Sequence, residues 1–531
     1  MKADSGCQET RDHRRRLLRG SLLHDIGKLV QRASERPAEK KHAEYGADWL
    51  EEIGGFSDIL DLVRYHHSWD DIAKIPLLTI LCAADALAAG ERLGTEDEKK
   101  LKWEREMPLL SLFCKVALPG KGKSTGTPEA AKAYYYPVRD ASKPNYPLPL
   151  EELRKAGLAG NRENYRSLLD GLQRDLDELL RAMPGTLGQG EECDVPLVDD
   201  YAILFLLEKH LQYVPGHTYR PSDDPMRDPD ISLYDHSRLT AAVALCLFDY
   251  FSHRFSGQKI EDWPVWDHVF KDSEKEAGGS GFNESFFLED VFVYADINLS
   301  GIQDFLYNIS TRKAARSLRA RSFFLEMICE DLAQEAIDRL SLSRCNVVFT
   351  GGGRARLLLP NIPKSIEVLE EVERGANLYC RERLGGALSV NVSWVELKPA
   401  QFVIGAKRSS GVPSIGDMMM ELSRKASRRK EDRLIEEITG GEAPRILGPL
   451  PPLDEECRIC HVETDEPKIV KEIDEEEGII ACPVCEALVD LGRRLRSARE
   501  VFLAAPPDGA DAGGLPLPFS TLFTPGQRKG R

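Results

Sequence analysis

Apolar residues recur at intervals of three and four over Arg15 to Ala33, Ala43 to Ile53, Ile59 to His66 and Ile75 to Ala89. This spacing predicts an all-helical domain over residues 1–96. Residues 97–285 read as a helical extension with linkers. A Gly/Pro/Ser/Lys-rich loop fills 116–150, and helical patterns resume at Pro149 to Met183, Tyr201 to Tyr213 and Ser237 to Phe255. Asp235 is placed to cap the last of these, and polar residues 256–285 suggest a boundary. The pattern then changes. Apolar runs at Val291 to Ile297, Asn346 to Phe349, Ala355 to Leu359 and Ala387 to Leu397 alternate with helical patterns at Gly301 to Leu340 and Ser365 to Leu384. Gly351-Gly352-Gly353 turns the second run into the third. The order β-α-β-β-α-β over 286–400 is the ferredoxin-like arrangement, used by nucleotidyltransferases and by many modules that do no chemistry. A basic connector is expected over 401–456, a cysteine-rich element over 457–490, and a final stretch over 491–531. The fold class is multidomain, α plus α/β.

Composition narrows the function classes. The chain has 531 residues and a net charge of −16, so any nucleic acid must be met by local basic patches. No apolar run reaches 18 residues and the start is not of secretory type, which predicts a soluble, cytoplasmic protein with no membrane partner. Eight of the 12 cysteines are scattered singly and read as reduced thiols; four are paired.

Ser21-Leu22-Leu23-His24-Asp25-Ile26-Gly27-Lys28 sets an adjacent His and Asp among apolar helical positions. A carboxylate there is costly unless its charge is compensated, and a metal ion does that. His42, the pair His66-His67, and Asp85 in Cys-Ala-Ala-Asp-Ala supply further donors on separate helical patterns. Mixed imidazole and carboxylate donors suit divalent transition metals that activate water and hold phosphate oxygens. The expected ligands are His24, Asp25, His66, His67 and Asp85, with His24 and Asp25 catalytic. Taken together they form the pattern of the HD phosphohydrolase superfamily. His13 lies in a charged run and reads as exposed, and His236 reads as part of a helix start.

Cys457-Arg-Ile-Cys460 and Cys482-Pro-Val-Cys485 are two knuckles separated by 21 residues. Two such pairs predict structural zinc, closed and non-catalytic. Two basic clusters follow less definite logic. Arg312, Lys313, Arg316, Arg319 and Arg321 put five positive charges in ten residues at a helix start, where phosphate or nucleic-acid backbone would be held. Arg424 to Arg433 carries six basic residues in ten and fits RNA backbone, a partner subunit or solvent.

The series of an HD site, a ferredoxin-like unit and a four-cysteine element resembles the large signature subunit of type III-A CRISPR effector complexes, the Csm-type complex. Leu22 to Lys28, Tyr65-His66-His67, Asp230 to Ser237, Asp296-Ile297, Gly301 to Phe305, Leu318 to Phe323, Gly351-Gly352-Gly353 with Leu357 to Asn361, and Leu491 to Leu495 carry the resemblance, with both cysteine pairs. It implies an HD domain that cuts single-stranded DNA with Mn²⁺, Ni²⁺ or Mg²⁺, structural zinc, and partners comprising other effector subunits, a guide CRISPR RNA and a target RNA. It also implies a first palm over 286–400 that binds ATP with a second palm and makes cyclic oligoadenylates; Ser322 and Arg321 would contribute to the nucleotide pocket. The metal-binding Gly-Gly-Asp-Asp of that second activity does not occur in the 531 residues, and the sequence stops about where the second palm would begin. Cyclase activity would then need a separate chain carrying that palm, because phosphoryl transfer needs carboxylates to hold its metal ions. Two other functions fit the same residues: an assembly scaffold with a dormant HD site, and an HD-type nucleotide phosphohydrolase.

Overall fold

The structure, a computed structural model, describes residues 2–90, 102–103, 106–116, 133–182, 198–217, 219–220, 228–270, 281–309, 314–403, 411–431, 439, 455–464, 466–470, 478–498, 501–504 and 515–523. The chain divides into two compact units, Met1–Phe292 with Lys398–Ser414, and Val293–Leu397 with Ile415–Arg531. No described helix is long and apolar enough to cross a membrane.

The first unit is a helical bundle. Its elements are α1 (Lys2–Leu23), α2 (Gly27–Ala33), α3 (His42–Ile53), α4 (Leu60–Tyr65), α5 (Trp69–Ile72), α6 (Pro76–Ala88), α7 (Leu150–Lys155), α8 (Arg162–Ala182), α9 (Val198–Leu211), α10 (Leu233–Arg254), α11 (Val265–Val269) and α12 (Glu284–Phe287). Leu17, Leu18, Leu22, Leu29, Leu50 and Leu62 are buried in its core. Each such side chain contributes about 1.5–3 kcal/mol by leaving water. The periodicity over Arg15 to Ala33 predicted one helix, but the chain forms two. α1 stops at Leu23, and His24, Asp25 and Ile26 make a turn in which Ile26 N–H donates to Leu23 O (3.1 Å) and Lys28 N–H to Asp25 O (2.9 Å). Gly27 then passes α3 so closely that a Cβ would lie 1.8 Å from His42 O. The turn and the close approach bring Asp25 and His42 together. The pattern at Pro149 to Met183 likewise divides into α7 and α8.

α6 starts with Pro76 at its first turn and buries Leu77, Leu78, Ile80, Leu81, Ala83 and Ala84. A helix apolar on most sides belongs inside a bundle, and α10 packs along it and along α1. The cap of α10 is Ser232, not Asp235. Ser232 Oγ accepts from Asp235 N–H at 2.9 Å, which moves the start upstream and turns His236 inward. Residues 256–285 are not a simple boundary: α11 packs on α6, and Phe270, Phe282 and Phe286 form an aromatic cluster.

The second unit holds a four-stranded sheet of β1 (Phe292–Ser300), β2 (Val347–Gly351), β3 (Arg354–Pro360) and β4 (Ser389–Leu397), in the order β2-β3-β1-β4. With α13 (Ile302–Tyr307), α14 (Ala314–Arg339) and α15 (Pro363–Leu384) this is the split βαβ connectivity. The helical pattern Gly301 to Leu340 breaks into α13 and α14, and residues 310–313 lie outside the described residues. Gly351, Gly352 and Gly353 all take positive φ (150°, 60° and 78°) in the β2–β3 hairpin, a conformation side chains disfavour. Much of the expected connector is folded structure. α16 (Ile415–Glu431) packs on β4, Arg429 pairs with Glu373 at 2.7 Å, and Lys425 Nζ donates to Trp394 O at 3.2 Å. Cys457 and Cys460 lie in the hairpin of β5 (Glu455–Glu456) and β6 (Glu463–Thr464), and Cys482 and Cys485 come just after the paired strands β7 (Lys468–Val470) and β8 (Ile479–Ala481), at the start of the next helix. That helix is α17 (Pro483–Arg494), which packs on α14.

Candidate metal centre

Seven donor side chains meet inside the helical unit. His24 and Asp25 come from the turn after α1, His42 from the first residue of α3, His66 and His67 from the end of α4, Asp85 from α6 and His236 from α10. They form two groups that share Asp25. One is His24, Asp25, Asp85 and His236; the other is Asp25, His42, His66 and His67. In each, the donor atoms lie within 4.8 Å of one another.

The two oxygens of Asp25 face opposite groups. Oδ1 lies 3.2 Å from His42 Nε2 and 3.8 Å from His66 Nε2. Oδ2 lies 3.3 Å from His236 Nε2, 3.5 Å from His24 Nε2, and against Lys28 Nζ. Asp85 Oδ1 faces His236 Nε2 at 3.0 Å and His24 Nε2 at 3.6 Å. His42 Nε2 and His67 Nε2 face each other at 3.1 Å.

The imidazoles are oriented from behind. His24 Nδ1–H donates to Ser21 O (2.8 Å) and His66 Nδ1–H to Val63 O (2.7 Å). A carbonyl can only accept, so both rings are held by Nδ1–H and turn Nε2 toward the cluster, the atom a metal would take. His24 Nε2, His66 Nε2, His236 Nε2 and Asp85 Oδ1 are buried without a hydrogen-bond partner. Buried polar atoms with no partner are rare, and here they converge. His24, Asp25, His66 and His236 are each at most 2% exposed, while His67 is exposed and His42 half-buried. The first group is therefore sealed and the second opens to solvent.

The electrostatics show what the cluster lacks. Burial opposes the charge on Asp25, but Lys28 and then His24 hold its carboxyl well below the usual range. Burial opposes charging His24, yet Asp25 and Asp85 hold it up to about 10. Burial, then His66 and His42, push His67 down to about 3, and burial also lowers His42. The carboxylates are thus ionised while His42 and His67 stay neutral at neutral pH. Divalent cations fit this donor set: on the open side they would meet neutral His42 and His67 beside the Asp25 carboxylate, and on the sealed side binding would release the proton that Asp25 and Asp85 hold on His24.

All five expected ligands fall in the cluster. His42, first considered only as a further donor, faces Asp25, and His236, read as a helix start, lines the sealed group. No spacing rule connects His236 to His24; only the packing of α10 on α1 and α6 does. His13 lies elsewhere, its Nδ1–H donating to Glu9 O at 2.9 Å and its Nε2 lying 3.8 Å from Glu261.

In the second unit Cys457, Cys460, Cys482 and Cys485 bring their Sγ atoms within 4.8 Å of one another, Cys460 and Cys482 at 3.8 Å. Ile459, Val470, Ile479 and Val489 pack around them. Four thiols around one point fit a tetrahedral zinc ion. The basic cluster is only partly described, with Arg319 exposed. Arg312 and Lys313 lie outside the described residues, and Arg316 is half-buried. Arg319 Nη1 lies 3.5 Å from Gly492 O. Arg321 is 3% exposed, whereas its neighbour Ser322 is exposed.

A helical bundle around a His/Asp cluster with a shared carboxylate is the architecture of an HD domain, and the model of the HD domain matches residues 3–90. The model of Csm1 subunit domain B matches residues 291–441. Along nearly its whole length the chain is similar to proteins named CRISPR system single-strand-specific deoxyribonuclease Cas10/Csm1 (subtype III-A). That of Enterococcus italicus is 29% identical over 94% of this chain and 59% of its own length. Those of Streptococcus thermophilus and Mycobacterium tuberculosis are 28% and 29% identical over 94% and 95% of this chain, and 58% and 59% of theirs. The chain is thus a homologue of the Cas10/Csm1 subunits of subtype III-A CRISPR systems, and it spans about three fifths of the length of these curated relatives. A crystal structure of the Csm1-Csm4 subcomplex in the type III-A CRISPR-Csm interference complex shares the fold. It is 23% identical, with a TM-score of 0.61 over 97% of this chain and 55% of that one. A Csm1-Csm4 cassette in complex with one ATP matches at 23% identity, with a TM-score of 0.60 over 97% of this chain and 55% of that one.

Proposed function

We propose that the helical unit is a metal-dependent, single-strand-specific deoxyribonuclease of a type III-A CRISPR effector. The observation that carries this reading is Asp25, whose two oxygens each face a different group of imidazoles. Two divalent ions, when bound, would neutralise a phosphodiester and acidify a water for in-line attack. The chain's own residues prepare for that. His24, His236 and Asp85 hold the sealed side, His42, His66 and His67 hold the open side, and Asp25 joins them. Lys28 keeps the Asp25 carboxylate ionised, and Ser21 O and Val63 O fix the rings of His24 and His66. A strand would enter beside the exposed His67, the side open to solvent.

The four cysteines act as structural zinc ligands, and the sheet of the second unit serves as the first palm of the effector subunit. The partners of this reading are a Csm4-like subunit, as in the solved Csm1-Csm4 structures, with a guide CRISPR RNA and a target RNA, in the cytoplasm. Because Gly-Gly-Asp-Asp is absent here, the palm would bind ATP and make cyclic oligoadenylate only with a second palm bearing that motif. The test is degradation of labelled single-stranded DNA by the purified chain with Mn²⁺, Ni²⁺ or Mg²⁺. Equal cleavage after combined His24→Ala and Asp25→Ala substitution would refute the nuclease reading. Hydrolysis of mononucleotides alone would point to a nucleotide phosphohydrolase. No cleavage, with zinc as the sole bound metal, would point to a scaffold.

A further inference from the structure

Arg321 is a buried guanidinium in α14, 3% exposed. Among the described residues no carboxylate lies within ion-pair reach of it. Its Nη2–H donates to Cys485 Sγ at 3.3 Å, its Nη1–H donates to Phe305 O, and its guanidinium carbon sits 4.9 Å from the Phe305 ring centroid. A guanidinium stays protonated in a protein interior, so a buried one requires an anion. Among the described residues, the anion-forming group it touches is the Cys485 thiol.

Four thiolates around one zinc ion make a dinegative centre, and a cation beside one sulfur offsets part of that charge. The same region is tied to α13 at further points. Asn308 Nδ2–H donates to Cys460 O at 3.1 Å, and Ile309 packs on the cysteine cluster. Gly492 of α17 lies so close to α14 that a Cβ would fall 2.5 Å from Arg316 O.

We propose that Arg321 is a positioning residue that serves as the counter-ion of the four-cysteine metal centre and couples metal occupancy to the placement of α13 and the start of α14. This rests on the zinc reading above and extends it. With the metal bound, Cys485 is a thiolate that accepts a charge-assisted hydrogen bond and compensates Arg321. With the metal gone, nothing draws the four sulfurs to one point, and the Arg321 bridge from Cys485 to Phe305 that holds α13 against the cysteine element weakens.

The experiment compares the wild-type chain with Arg321→Met, which keeps the volume and removes the charge, and Arg321→Lys, which restores the charge. Zinc affinity is measured by competition with a chromophoric chelator, and the sulfur-to-metal charge-transfer band is measured after cobalt substitution. Arg321→Met is expected to weaken zinc binding by about tenfold or more, in the range usual for outer partners of metal ligands, and to shift the cobalt band. Arg321→Lys is expected to recover most of the affinity. Wild-type affinity with an unshifted band in Arg321→Met would overturn the proposal. If Arg321→Met does not fold, the wild-type chain decides. Stripping its zinc is expected to raise amide exchange over Phe305–Ile309 and the first turns of α14, while α10 is unaffected; unchanged exchange there overturns the coupling. Metal content separates the two levels of the argument. A wild-type chain that binds no zinc overturns the zinc reading and the coupling with it, whereas one equivalent of zinc without an Arg321 effect overturns the coupling alone.

Discussion

In the helical unit, seven donors come from five stretches spread between residues 24 and 236; in the other unit, four thiols come from residues 457 to 485. The two centres meet the same need, keeping crowded ligand groups together, in opposite ways. The cysteine centre is local, with one knuckle in a short hairpin, the other at the start of α17, and an apolar shell around them. It has no open position and suits folding. The His/Asp centre is assembled by long-range packing, mixes nitrogen and oxygen donors, and leaves His67 exposed. It has an open side and suits the proposed chemistry. A site that must stay closed can be written in a short segment, whereas one that must hold several donors around a substrate draws on the whole bundle.

The comparison breaks most readily at Asp25, the one carboxylate shared by both histidine groups. Asp25→Asn keeps the shape and removes the charge that joins the groups. Metal-dependent degradation of single-stranded DNA should fall by about a thousandfold or more, since the charge needed to hold the ions is lost. Zinc content, read by elemental analysis, should stay at one equivalent. Loss of zinc in this variant would mean that the two centres are not independent.

The reciprocal test is Cys482→Ser. Removing one thiolate from a closed four-thiolate site should lower bound zinc from one equivalent to a small fraction and destabilise the second unit, because metal binding there contributes to folding. Nuclease activity per folded chain should change by no more than about threefold. A nuclease loss as large as that of Asp25→Asn would contradict the division of labour.

The two constructions also differ in how far they could be read from sequence. The cysteine spacing carries its own geometry, so all four ligands were legible before any fold was known. His24, Asp25, His66, His67 and Asp85 were legible because their residue types are unusual among apolar helical positions. His236 was not, because its role depends on α10 crossing α1 and α6, and because Ser232 rather than Asp235 caps that helix. The break between α1 and α2 was equally hidden: apolar spacing runs through it, and only the approach of Gly27 to His42 O shows why the chain must turn. The β-α-β-β-α-β order was legible from the alternation of runs, except that its first helical segment divides into α13 and α14. The burial of Arg321 was not, since charge density alone places an arginine on a surface.

His236→Ala tests the residue that the fold supplied. It removes one ring from the sealed group while Asp25 and Asp85 remain. The expected loss is about 10–100-fold in affinity for the activating metal, or roughly 1.4–2.8 kcal/mol, read as a rightward shift in the metal dependence of cleavage. Saturating metal should restore most of the rate. Unchanged metal dependence would remove His236 from the site.

The smallest effect should come from His13→Ala, and it sharpens the comparison from the other side. His13 is the histidine nearest upstream of His24, so spacing alone would recruit it. The structure instead sets its Nδ1–H on Glu9 O, one turn back on α1, and leaves its Nε2 3.8 Å from Glu261. A half-exposed histidine of this kind contributes at most a few tenths of a kcal/mol through its ion pair. Cleavage rate and metal dependence should therefore stay within about twofold of the wild-type chain. A tenfold fall would mean that chain proximity, not the packing of α10, selects the imidazoles of this centre.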